Sequence, residues 1–289
     1  MFSSTKKYRL PILVLFLLTI NFFIFRSDWH DSHRKLTFAM LDVGQGDALF
    51  IESPTGTQIL FDAGPPRSVL GPLSRVMSPF DRSIDAVVIT NPDADHIGGA
   101  VEILNNYKVG AIFEPGTLNS STVYQNLKKE IKNENIPHLL ARRGMHLDLG
   151  GGAVIDILFP DRDVSLWTTN DGSIVAKLSY GETSVMLTGD STTKTEEIIL
   201  KNNLPTSLES DILKVGHHGS RTSTSSNFVK ALSPNYALIS DGKGNSYGHP
   251  HPEVLNTLEK MGSQVLRTDL LGTIIMKSDG QNVAFSFFK

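Results

Sequence analysis

Residues 90–99, Thr-Asn-Pro-Asp-Ala-Asp-His-Ile-Gly-Gly, set two carboxylates and an imidazole (Asp93, Asp95 and His96) directly behind the apolar, β-branched run 86–90. A strand that ends in such a tight turn can present all three side chains at its carboxyl end, where they can hold a metal ion. Gly98 and Gly99 let a helix start close against that strand. The chemistry allowed is metal-assisted hydrolysis, because a divalent cation lowers the pKa of water and offsets charge that develops on the attacked group.

Three further clusters repeat the pattern. Leu187-Thr188-Gly189-Asp190 closes an apolar run with a carboxylate, Leu213 to Ser220 closes another with His217 and His218, and Ser246 to His251 carries His249 and His251. Four of the nine histidines therefore fall in two short loops, a placement that chance would scatter. Taken singly, each cluster has a plainer account: a strand-ending Gly-Asp is often only a turn, and Pro252 suits the first turn of a helix. Metal-type ligands at several strand ends together favour a hydrolytic centre. His138 and His146 read as structural or exposed, and His30 and His33 as linker residues.

The chain has no cysteine, which excludes disulfides, thiolate zinc sites and a cysteine nucleophile together. Any ion must be held by His, Asp and Asn, a ligand set that suits zinc, manganese or another first-row ion. Residues 1–35 carry six Lys/Arg against Asp28 and Asp31. The rest holds 21 of the 27 basic side chains against 28 of the 30 acidic ones, a net −7. That balance gives no diffuse basic face for nucleic acid.

Leu10 to Phe25 is nearly all apolar, follows Lys6, Lys7 and Arg9, and can be extended at the interfaces by Tyr8 and Arg26. Its distal flank lacks a small-x-small cleavage pattern, so an uncleaved single-pass signal anchor is expected rather than a cleaved signal peptide. The positive amino flank puts the catalytic body outside the cytoplasm. Residues 1–35 are then membrane anchor and linker, and 36–289 the catalytic domain.

Positioning these clusters requires strands that end together. Strands are expected over 36–43, 47–52, 58–61, 111–113, 154–159, 173–179, 184–188, 212–215, 237–240 and 272–277. Helices are expected over 69–77, 99–107, 122–135, 193–201, 226–232 and 253–261. Sheets and helices alternate, which predicts an α/β layered sandwich rather than a separate helical domain.

The motifs Asp42-Val43-Gly44-Gln45-Gly46-Asp47, Phe61-Asp62-Ala63-Gly64, the 91–99 turn, Gly189-Asp190, His217-His218-Gly219-Ser220 and Tyr247-Gly248-His249-Pro250 occur in this order. The set resembles metallo-β-lactamase-fold hydrolases, and more closely the soluble hydrolase domain of the ComEC/Rec2 competence family, over roughly residues 36–288. The resemblance implies a four-layered αββα sandwich with one or two divalent ions (zinc or manganese, with magnesium also open) at one edge of its sheets. Asp95 and His96 would bind one ion with bridging Asp190 and a histidine of the 217/218 pair. His217 is favoured, and His218 is a second ligand, a support held behind the ligands, or a phosphate contact. Asp62 would brace the 90s loop through hydrogen bonds.

The departures concern the other ion. Asn91 stands at the first histidine of the family pattern, and Thr169 to Ser173 stands where another is expected. The first position is left with Asn91, Asp93, Asp190 and Asn170 or Asp171. This harder, oxygen-rich shell favours manganese or magnesium or leaves the position weakly occupied. In the implied mechanism Asp95 orients the attacking water, His249 is the proton donor to the leaving group, and Lys214, Ser220 and Asn245 contact phosphate. The implied substrate is a phosphodiester, DNA or a nucleotide, handled beside a separate channel protein, since the 289 residues do not contain the family's multi-span portion. Hydrolysis of another ester, of phosphocholine or lactone type, and a non-catalytic metal-stabilised binding domain are the alternatives.

Overall fold

The structure, a computed structural model, describes residues 12–21 and 35–289. Residues 12–21 form a helix, α1, whose side chains are all exposed. No helix among the described residues is long and apolar enough to cross a membrane. Both charged flanks of the expected anchor lie outside the described residues.

From Leu36 onward two sheets form. The first contains β1 (Leu36–Met40), β2 (Leu49–Glu52), β3 (Gln58–Phe61), β4 (Ser83–Val88), β5 (Lys108–Glu114), β6 (His138–Leu140), β14 (Thr273–Ser278) and β15 (Val283–Phe288). Its spatial order is β15-β14-β1-β2-β3-β4-β5-β6. The second sheet is built from β7 (His146–Gly150), β8 (Ala153–Phe159), β9 (Val175–Tyr180), β10 (Thr183–Leu187), β11 (Ile212–Lys214), β12 (Tyr236–Ile239) and β13 (Gln264–Arg267), ordered β13 to β7.

The period-two alternation of side chains explains the layering. In β1, Leu36, Phe38 and Met40 point into a core shared with Ile155, Val185 and Leu238 of the second sheet. Ala39 and its neighbour Leu41 point the other way, into a core with Leu73, Ile103 and Leu127. Those three belong to α2 (Leu70–Val76), α4 (Ala100–Asn106) and α5 (Thr122–Asn133), which cover the outer face of the first sheet. A third core lies outside the second sheet, where Met186 and Leu213 meet Ile199 of α6 (Thr193–Asn202), Leu208 of α7 (Pro205–Leu208), Phe228 of α8 (Ser226–Leu232) and Leu258 of α9 (Pro252–Lys260). Three cores between four layers make the αββα sandwich.

Two runs of parallel pairing place the chemistry. β3, β4 and β5 run parallel, as do β10, β11, β12 and β13. Their carboxyl ends carry Asp62, the 90s turn, Asp190, the His217-His218 pair and Ser240. Sequence periodicity missed β6, β7, β13 and β15. β6 is three residues long with all side chains exposed, so it carries no alternation to read.

Candidate metal centre

Three loops are stitched together by backbone hydrogen bonds around the 90s turn. Asp47 N donates to Asp95 O (3.2 Å), Ala63 N to His96 O (2.7 Å) and Gly64 N to Asp47 O (2.7 Å). The glycines are required by this closeness: a Cβ on Gly46, whose φ is +144°, would stand 2.2 Å from Asp95 O, and one on Gly99 2.3 Å from Ala63 O. The turn itself continues into the short helix α3 (Ala94–Ile97), which carries Asp95 and His96.

Four side chains then converge. Asp95, His96, Asp190 and His218 each offer a donor atom, and these atoms lie within 4.8 Å of one another. His96 Nε2 is 3.1 Å from Asp190 Oδ2, and His218 Nε2 is 3.4 Å from Asp95 Oδ2 and 3.6 Å from Asp190 Oδ1. Both rings are locked from behind. His96 Nδ1 lies 2.8 Å from Asp62 Oδ2, and His218 Nδ1 donates to the carbonyl of Ser240 at 2.8 Å. Acceptors at both Nδ1 atoms hold the protons there and turn each Nε2 lone pair toward the gap.

His96 Nε2, His218 Nε2 and Asp190 Oδ1 are buried and have no hydrogen-bond partner. Unpaired buried acceptors facing one point are costly unless a cation sits there, so this donor set fits a divalent ion. The surrounding carboxylates also create a field that favours positive charge at this point. Burial alone would lower the His96 pKa, yet Asp190 and Asp62 hold it well above the ordinary value. Burial opposes ionisation of Asp190, but His96 and His218 hold its pKa well below the usual carboxylate range.

The centre opens into a cleft of about 360 Å³ lined by Asp95, Asp190, His217, His218 and His249, with Asp93, Asn170, Gln45 and Tyr247 at its walls. Tyr247, 66% exposed, stacks on His249 at 5.7 Å between ring centroids. Burial and the neighbouring His217, His218 and His251 push His249 down to about 4. Its imidazole is therefore neutral near pH 7.

Residues 41–240 match the family described as the Metallo-beta-lactamase superfamily. The chain belongs to that superfamily. ComE operon protein 3 of Bacillus subtilis (strain 168) is 32% identical over 266 residues, 86% of this chain and 34% of that protein. Recombination protein 2 of Haemophilus influenzae is 31% identical over 238 residues, 81% of this chain and 28% of that protein. The chain thus spans about a third of the length of the curated relatives it matches. Among solved structures, Igni18, a metallo hydrolase from Ignicoccus hospitalis, superposes with a TM-score of 0.54 at 16% identity, covering 88% of this chain and 100% of that one. At that identity the likeness speaks to the fold alone, a metallo-hydrolase fold.

Within the metallo-beta-lactamase scaffold, several side chains stand elsewhere than the sequence suggested. Of the histidine pair, His218 joins the cluster. His217, favoured from sequence, is half-buried with Nε2 3.7 Å from Asp190 Oδ2 and Nδ1 3.0 Å from Thr222 Oγ1. The reason is local: both residues adopt left-handed backbone, φ +47° and +55°, so the two rings diverge. Lys214 cannot contact phosphate, because its side chain is wholly buried, paired with Asp47 and donating to Gly189 O at 2.9 Å.

Asn245 is not among the residues lining the cleft. Its amide donates to His249 O and accepts from His249 N, which fixes the His249 loop. Ser220 is buried, its hydroxyl 3.0 Å from Thr222 Oγ1. Asp171 is tied to Thr192 and Lys194. Asp62 meets His96 and both the amide and hydroxyl of Thr90, bracing the turn.

Sequence reasoning assigned no role to Asp47, although its Gly-Gln-Gly-Asp motif was visible. Its carboxylate lies behind the centre, with Oδ1 3.5 Å from His218 Nδ1.

Proposed function

We propose that this chain is a membrane-anchored, metal-dependent phosphodiesterase acting on DNA or nucleotides. The observation that carries the reading is the convergence of Asp95, His96, Asp190 and His218, three of whose buried donor atoms lack partners, on the floor of an open cleft. A divalent ion bound there supplies positive charge that acidifies water and offsets charge on the attacked phosphoryl group. Asp95, with its side chain 37% exposed at the cleft, orients the attacking water and accepts its proton. His217 and His249 face the same cleft as imidazoles able to hydrogen-bond phosphoryl oxygens.

The net −7 of residues 36–289 argues against recruitment by a diffuse basic face. The strand is drawn by the ion, aided by Arg221 and Lys243, which are exposed in the loops carrying His218 and His249. The relationship to ComE operon protein 3 and Recombination protein 2 supports a DNA substrate delivered beside a separate channel protein. The apolar run 10–25 behind Lys6, Lys7 and Arg9 supports a single-pass anchor with the body outside the cytoplasm.

The test is hydrolysis of bis(p-nitrophenyl) phosphate and of single- and double-stranded DNA by the full chain loaded with manganese, zinc or magnesium. Turnover that disappears in Asp190→Ala is expected. Absence of turnover with every ion overturns the enzyme reading. Protease accessibility of a carboxyl-terminal tag on intact cells checks the orientation.

A further inference from the structure

The residues left for a second ion are Asn91, Asp93 and Asn170, and each of their side-chain oxygens already accepts a hydrogen bond from one another or from two flanking loops. Asn91 is fully buried. Its amide nitrogen donates to Asn170 Oδ1 at 2.7 Å, and its amide oxygen accepts from Asp93 N at 2.9 Å. Asp93 Oδ1 accepts from the Asn119 amide at 2.9 Å, and Asp93 Oδ2 accepts from the Thr169 hydroxyl at 2.7 Å. Asn119 also donates to Pro92 O at 3.2 Å. The loop after β5 and the loop before β9 thereby clamp the turn from both sides.

The contrast with the neighbouring cluster is direct. There, buried acceptors face a common point with no partner; here, no buried side-chain atom of Asn91, Asp93 or Asn170 lacks one. A cation entering this network would compete with these bonds for the same oxygens. It would gain a single carboxylate beyond Asp190, since both asparagines are neutral.

Among the described residues one other acidic group could hold an ion, Asp47 with Asp62 and His96. The Lys214 ammonium already stands against Asp47, and Asp62 Oδ2 is taken by Thr90 and His96.

We propose that the centre is mononuclear: it holds one ion at Asp95, His96, Asp190 and His218, and an Asn91–Asn170 amide pair with the Asp93–Asn119–Thr169 bonds replaces the second. The network does mechanically what a second ion would do, tying the 90s turn to the loop ahead of β9, without supplying charge. This rests on reading the four-residue cluster as a metal site.

The test is metal stoichiometry of the full chain, stripped with chelator, reloaded with excess manganese and desalted, measured by elemental analysis together with electron paramagnetic resonance. One manganese per chain with an isolated-ion spectrum is expected. Two per chain with a spin-coupled spectrum overturns the inference and leaves the metal reading standing. No retained manganese, and none of zinc in a parallel reload with that ion, overturns both. In Asn91→His/Asn170→His a second ion with a coupled spectrum is expected. If that variant folds and still retains one, the amide pair is not the cause and this part of the inference fails.

Discussion

Lys214 and Asp47 form an ion pair in which both side chains are buried, directly behind the histidines of the metal centre. Each charge stabilises the other in a site that solvates neither well. Removing one partner of a buried pair typically costs about 3–5 kcal/mol, since the survivor is left charged in a poorly solvating site. Lys214→Met is therefore expected to lower unfolding free energy by that order in metal-free protein. Lys214→Met combined with Asp47→Leu should recover a good part of it. Denaturant unfolding of the single and double variants checks this, and a double variant no better than the single one would contradict it.

Asp62 does not line the cleft, yet its Oδ2 lies 2.8 Å from His96 Nδ1 and its carboxylate receives both the amide and the hydroxyl of Thr90. Asp62→Asn replaces one acceptor oxygen with a donor and removes the bias that turns His96 Nε2 toward the ion. Loss of such a partner commonly weakens metal binding about 10–100-fold. Chelator competition should show that drop while the far-ultraviolet circular dichroism stays unchanged; an unaltered affinity would refute it.

The scaffold was more legible in the sequence than the roles within it. Leu36, Phe38 and Met40 alternate plainly, and helices such as Thr122–Asn133 carry a clear apolar face. β6, with no buried side chain, and the half-buried β15 left no comparable signal. At the centre, the convergence of Asp95, His96 and Asp190 could be read because each follows an apolar strand. The choice between His217 and His218 could not, because it depends on two consecutive left-handed residues that no spacing rule encodes. Lys214 misled for a related reason. Its place at the end of β11 was clear, but which face it points to depends on Asp47, some 167 positions earlier in the chain.

The divergent rings of the histidine pair separate two outcomes. His218→Ala removes a ligand atom from the cluster and should abolish retained metal after desalting, whereas His217→Ala should keep the ion. Elemental analysis of both variants decides it. Retention in His218→Ala with loss in His217→Ala would reverse the assignment.

Asp241 sits at the end of β12, at the base of the loop that carries His249, fully buried, with Oδ1 unpartnered. The guanidinium nearest to it, Arg267, spends its fork on Asp269 at 2.9 and 2.7 Å and reaches Asp241 Oδ2 only at 3.4 Å. Burial, reinforced by Asp269 and opposed by Arg267, pushes Asp241 from 3.8 up to about 7. A carboxyl with a higher pKa in the fold than in the unfolded chain binds a proton on folding between those values. Its contribution is therefore fully present below about pH 4 and lost as pH rises through about 7. Asp241→Asn mimics the protonated form and should escape that loss. The variant's melting temperature should gain on the wild type steadily from pH 5 to pH 8 and level off above. Curves that run parallel across this range would show that Asp241 is ionised in the fold throughout.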